Sequence, residues 1–317
     1  MLHKIALALA CVTISFNAQA NCGSAFCTIN TDAGVQGTFT KPGVRLDIRA
    51  EYINLDELRH GSHKTSPQGE VDEHDEVRTI NRNVLTTLDW NINEDWGVTL
   101  RVPFVNRAHK HVHNEDNSFG GVEPELEKWD FSGISDIQAL GRYNFYRDSN
   151  SNSNAGLRFG LKLPTGSINK SNATEKAERT LQPGSGSVDT LLGAYYNSYR
   201  GALGWFVQGM WQQSVHERDD FKPGAKLGLD AGLSYTATPD LSLLLQANYA
   251  HQFKDSGAQA EPKYSGGDSV FVSPGLSYRV TPDVHVYGFV QKPIYQRVNG
   301  FQLTSDWSAA FGLITQF

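Results

Sequence analysis

What this chain of 317 residues lacks is informative. Beyond its first twenty residues no stretch approaches the ~18 uninterrupted apolar residues of a spanning helix, which excludes a helical membrane protein. Basic residues do not outnumber acidic ones (28 against 34, formal net charge −6), which argues against a nucleic-acid partner. Helical periodicity is weak throughout, and only Ala173 to Arg179 reads as a helical piece, inside a loop. Cysteine is scarce at three. Apolar residues are not scarce, at 39% with 11% aromatic, so wholesale disorder is excluded. None of these absences bears on a membrane β-barrel, whose alternate residues are polar and whose average hydropathy resembles that of a soluble protein.

The first segment present is an address. Met1 to Ala20 has a short basic start (His3, Lys4), an apolar run from Ile5 to Phe16 and the small-residue tripeptide Ala18-Gln19-Ala20. It reads as a secretory signal peptide cleaved after Ala20. Cleavage removes Cys11 and leaves Cys22 and Cys27, which in an oxidising compartment predict a small local disulfide. Haem attachment would want a histidine directly after the second cysteine, where Thr28 stands; metal ligation is the other alternative. Residues 21–42 then form either a periplasmic segment or a plug, and 43–317 the main domain.

That domain has a period of two. Val44, Leu46, Ile48, Ala50 and Tyr52 share one face of a strand, while Arg45, Asp47, Arg49 and Glu51 share the other. Four charges on one face suit a water-filled lumen. The signature recurs at 96–104, 137–145, 155–163, 227–235, 241–249 and 270–278, and further strands near 84–92, 188–199, 204–213, 284–291 and 303–317 bring the count to about twelve. An even number suits a bacterial outer-membrane barrel.

The connections alternate in length. Short turns occur at Asn93-Glu94-Asp95, Arg147 to Ser153, Arg200 to Leu203, Thr238-Pro239-Asp240 and Thr281-Pro282-Asp283. Longer polar segments lie at about 54–77, 106–131, 166–187, 214–224, 252–267 and 293–302. Short periplasmic turns opposite long external loops are the pattern of outer-membrane barrels. Trp90, Trp96, Tyr143, Phe145, Tyr235 and Tyr278 gather near the short turns, as an interfacial girdle requires. In the last strand Trp307, Ala309, Phe311, Leu313 and Phe317 share one parity, interrupted only by Thr315. A terminal phenylalanine on such a strand resembles the signal by which barrels engage their insertion machinery. Lipid cannot satisfy unpaired strand edges, so the sheet must close. The expected fold is a closed antiparallel transmembrane β-barrel in the outer membrane of a Gram-negative bacterium, in contact with outer-membrane lipid.

Three ordered motifs carry a family resemblance. They are Phe131-Ser-Gly-Ile-Ser-Asp136 with Gly141-Arg-Tyr143, Gly160-Leu-Lys-Leu-Pro-Thr-Gly166, and Leu181-Gln-Pro-Gly-Ser-Gly-Ser-Val-Asp189. The series resembles the outer-membrane barrels of the meta-pathway of phenol degradation transporter family, loosely grouped with the long-chain fatty-acid channels. The resemblance covers most of the chain after the signal segment. It implies a barrel that moves small molecules, aromatic ones in some relatives.

The assigned parities place Arg45, Arg49, Arg101, Arg107, Arg142, Arg158, Lys162, Lys226 and Arg279 in the lumen, with Asp47, Glu51, Asp89, Asp136 and Asp230. A basic interior in a protein that is acidic overall would favour passage of small anionic solutes; alternatively these charges pair across strands and fill a narrow barrel. His109, His111 and His113 alternate in the parity of Arg107, and the preceding loop adds His60, His63, Asp72, Glu73, His74 and Asp75. These could bind zinc or copper, although three histidines on one straight segment cannot close a tetrahedral site alone. Ser214 with His216, and Ser62 with His63, lack the context of a nucleophile turn, and Gly184-Ser-Gly-Ser187 lacks the lysine of a phosphate loop. No enzymatic activity and no cofactor are expected. The remaining alternative is a non-conducting barrel that partners a periplasmic electron carrier.

Overall fold

A computed structural model describes residues 29, 42–67, 74–116, 121–150 and 152–317. The expected signal peptide and the Cys22–Cys27 pair lie outside the described residues, as do Asp72 and Glu73. Thirteen strands form one sheet: β1 (Gly43–Gly61), β2 (His63–Lys64), β3 (His74–Asn91), β4 (Trp96–Asp116), β5 (Val122–Ile134), β6 (Ile137–Asp148), β7 (Ser153–Leu163), β8 (Val188–Arg200), β9 (Leu203–His216), β10 (Lys226–Thr236), β11 (Leu241–Gln252), β12 (Gly267–Thr281) and β13 (Val284–Gln316). All neighbours are antiparallel, and β13 pairs with β1 from Arg45↔Gln316 to Gly61↔Val298, which closes the barrel.

Two irregularities reconcile thirteen strands with an expectation of about twelve. β5 and β6 lie on the same edge of β4, one above the other, and are broken at Ser135-Asp136. β13 pairs with β12 up to Val298 and with β1 beyond it, doubling back at Gly300, whose φ of +58° is left-handed. With β2 a two-residue addition, the wall has twelve staves.

The period-two pattern sorts the side chains as expected. Leu100, Phe159, Leu161, Leu233, Leu245, Phe311 and Leu313 face outward and are exposed, forming the lipid-facing band. Trp90, Trp96, Tyr143, Phe145, Tyr235 and Tyr278 mark its turn-side rim, Trp96 and Tyr143 with ring centroids 4.6 Å apart. Among the described residues no helix is long and apolar enough to cross a membrane; the chain crosses with strands.

Two expected loops differ. The segment 106–131 is mostly the hairpin arm of β4 and β5, paired from Phe104↔Ile134 to Asp116↔Val122. The alternation simply persists past the membrane: outward, Phe104 and Val84 give way to Asn106, Arg82 and Lys110, while His109 and His111 face inward. The segment 173–179 is not helical. Asn172 Oδ1 accepts the backbone N–H groups of Thr174 and Glu175 (2.9 and 2.7 Å), and this local turn competes with a helix. The whole connection 164–187 folds into the barrel mouth, where Ala177 and Leu181 pack with Ile53, Leu55, Trp129, Phe131 and Leu303. Ile29, the one described residue of the 21–42 segment besides Pro42, is buried in the same cluster.

Candidate functional site

The three sequence motifs meet at one point inside the wall. Asp136 opens β6, Lys162 ends β7, and Ser187 and Asp189 introduce β8. Lys162 Nζ donates to Asp136 Oδ2 (2.8 Å), to the Ser187 carbonyl (2.9 Å) and to Ser185 Oγ, and lies 3.3 Å from Asp189. Asp136 also accepts the N–H groups of Gly166 (3.1 Å) and Ser185 (2.9 Å) and the Ser185 hydroxyl (2.6 Å). Gly166 and Gly184 touch backbone to backbone, so a Cβ on either would overlap the other. Lys162, Asp136 and Asp189 are all buried. The network fastens both ends of the 164–187 loop to the wall.

The loop's middle is held from below and from the side. Arg107 donates to the carbonyls of Thr180 (3.1 Å) and Leu181 (2.6 Å) and to Asn81 (2.7 Å). Arg179 pairs with Asp219 at 3.0 Å and lies over the Phe221 ring at 5.1 Å. Gln182 donates to the carbonyls of Lys170 and Ala177, closing the loop on itself.

Beneath the loop lies a cavity of about 500 Å³. Arg45, Asp47, Arg49, Arg101, Arg107, Asp136, Arg142, Arg158 and Lys162 line it, with Asp89, Lys226 and Asp230. Glu51 does not line it: it is buried farther up β1, 2.7 Å from Arg49 and accepting from Asn83 (3.1 Å). Arg279 is at the exposed rim, paired with Asp240 at 3.1 Å, because β12 ends there at the short turn to β13. Some charges do pair, as in Arg45–Asp89 at 2.6 Å. Neutral amides orient others: Arg101 donates to Gln138, Arg142 to Asn91 and Arg158 to Gln208. Ser214 turns inward and is buried whereas His216 is exposed, so they form no pair.

Above the membrane band the loop covers an acidic and imidazole chamber. His109 and His111 are 1% exposed and lie against Trp129, ring centroids 5.6 and 4.6 Å away. Thr79 Oγ1 and His109 Nδ1 are 2.8 Å apart, His109 Nε2 and His111 Nδ1 3.2 Å, and His111 Nε2 and Glu127 Oε2 2.7 Å. His113 does not join them. Its place is taken by Glu76 on β3, 3.6 Å from His109. A β-bulge between Glu76 and Arg78 causes this substitution by shifting the strand's parity, so that Glu76 turns inward and Val77 outward. Strict alternation hides Glu76; a valine at an inward position of a polar-faced strand was the available signal. His63 is exposed and His60 stacks on Phe301. Burial, then the charges of Glu178 and Glu261, push the Glu76 carboxyl well above the usual range. Burial, then Glu175 and Glu127, push that of Glu178 on the loop to about 8.

The family described as "Putative MetA-pathway of phenol degradation" matches residues 60–305. The fold is similar to that of the COG4313 outer membrane channel from Pseudomonas putida F1, with 13% identity and a TM-score of 0.64 over 90% of this chain and 100% of that one. The NanC porin (10% identity, TM-score 0.49, 86% and 100% covered) and the CymD monoaromatic hydrocarbon channel (10%, 0.45, 95% and 98%) also resemble it. No curated protein matches the sequence.

Two predictions follow from the loop's attachments. Lys162→Met strands two buried carboxylates, which should lower stability by about 3–5 kcal/mol and speed tryptic cleavage of the loop at Lys170 and Lys176 while the strands stay resistant. Unchanged cleavage would deny the network its role. A carboxyl raised in the folded state favours the docked loop below the unfolded pKa near 4.5, and this contribution is lost as pH rises through about 8. Tryptic cleavage of the loop, corrected for the protease's own pH dependence, should therefore rise between about pH 6 and pH 8.5, and Glu178→Gln should flatten that rise.

Proposed function

The chain belongs to this phenol-degradation family, and on that footing we propose that its barrel is an outer-membrane channel for small solutes, with a lumen that favours anions. The observation that carries the reading is the cavity beneath the loop, lined by Arg45, Arg49, Arg101, Arg107, Arg142 and Arg158. Fixed positive charge in a narrow passage walled by low-dielectric material concentrates counter-ions of the opposite sign. Leu85, Leu140, Leu191 and Phe221 line the same space and give an apolar surface to a ring or short chain. A small organic anion, an aromatic carboxylate among them, meets both features. Passage requires the 164–187 loop to move aside, since its residues Thr180 and Gln182 to Ser185 roof the cavity. Export through the Met1–Ala20 segment and recognition of Phe317 by the insertion machinery belong to the same proposal; Phe317 is 77% exposed beside the barrel seam.

Reversal potentials across a planar bilayer under a salt gradient test this reading. The wild-type barrel should select chloride over potassium, and Arg142→Gln with Arg158→Gln should shift the reversal potential toward zero. Cation selectivity in the wild type would overturn it.

A further inference from the structure

We infer that Glu76, His109 and His111 form a binding site for a divalent transition ion of the zinc class, outside the solute passage and under the cover of Trp129 and the folded-in loop. The site is independent of the solute reading: its residues lie above the cavity and do not line it.

Geometry comes first. A tetrahedral ion with bonds of about 2.0–2.1 Å holds its ligand atoms about 3.4 Å apart. His109 Nε2 is 3.2 Å from His111 Nδ1 and 3.6 Å from Glu76 Oε2, which brackets that separation. The three ligand atoms lie within 4.8 Å of one another. One carboxylate with two imidazoles suits a borderline ion such as zinc better than a hard ion such as calcium.

The surroundings already supply the outer partners such a site needs. A ligating histidine donates its second ring N–H to a carboxylate or another oxygen, which fixes its tautomer. His111, turned to present Nδ1, has Nε2 2.7 Å from Glu127, and His109, turned to present Nε2, has Nδ1 2.8 Å from Thr79 Oγ1. Thr79 is a hydroxyl and accepts as readily as it donates. Ion entry therefore replaces the His109–His111 hydrogen bond and moves a proton from Nε2 to Nδ1 of His109.

Glu76 is the second, independent observation. Its side chain is 1% exposed and neither carboxylate oxygen has a hydrogen-bond partner. A buried carboxyl group left in that state is costly, and a bulge in β3 is what aims it at the two imidazoles. An ion bound there satisfies it.

Zinc retention by the full refolded chain tests the site. After dialysis against zinc and removal of loose ion with a weak chelator, elemental analysis should find about one zinc per barrel. Glu76→Gln and the double change His109→Ala with His111→Ala should each abolish it, with folding checked by the heat-modifiable electrophoretic shift of the barrel. Glu127→Gln should weaken affinity roughly 10–100-fold, and His113→Ala should leave retention intact. Absence of stoichiometric zinc in the folded wild type overturns the inference, as does retention that survives Glu76→Gln but is lost in His113→Ala.

Discussion

The buried contact of Lys162 with Asp136 and Asp189 is the interaction on which the interior depends. Each of the three charges would be expensive to bury alone, and together they satisfy one another while Ser185, Ser187 and Gly166 supply the remaining hydrogen bonds. Because the lysine ends one strand and an aspartate opens the next, this cluster fixes where the intervening loop leaves and re-enters the wall. Arg107 and Arg179 then hold the middle of the loop inward. The apolar cluster around Leu181 and the cavity roof at Gln182 and Pro183 follow from that path.

The wall was legible because its physics is local. Alternation at Val44 to Tyr52 states which residues meet lipid, and the aromatic residues near the short turns state where the lipid ends. Twelve of the fourteen charges assigned to the lumen line one cavity; Glu51, on the correct face, lies against Arg49 and Asn83, and Arg279 sits at the exposed rim. The interior of the mouth was less legible because it depends on contacts across more than a hundred residues. Nothing local in Leu181-Gln-Pro-Gly-Ser says that it packs against Trp129 and Ile53, and the family motifs flag the loop without saying which way it folds. Similarly, alternation correctly brings His109 and His111 inward, yet the third member of their cluster arrives through a bulge on the neighbouring strand.

The two chambers differ in charge. Guanidinium groups predominate in the cavity, several oriented by neutral amides; carboxyls and imidazoles collect around Trp129, and burial raises the carboxyl pKa of Glu76 and Glu178 there. The loop thus separates an arginine-lined cavity from a chamber rich in carboxyl and imidazole groups. Glu175 and Glu178 belong to the loop while Glu76, His111 and Glu127 belong to the wall, so events in the upper chamber act on the fit of the loop itself. In the proposed channel, a gate formed by this loop would need no separate domain, only the differential stability of one connection.

The most direct test of that partition is single-channel conductance before and after the loop is shortened. With residues 168–182 replaced by a brief glycine–serine link, the barrel should conduct severalfold more than the wild type and keep the same sign of selectivity. Equal conductance of the two proteins would contradict the loop's role as the barrier.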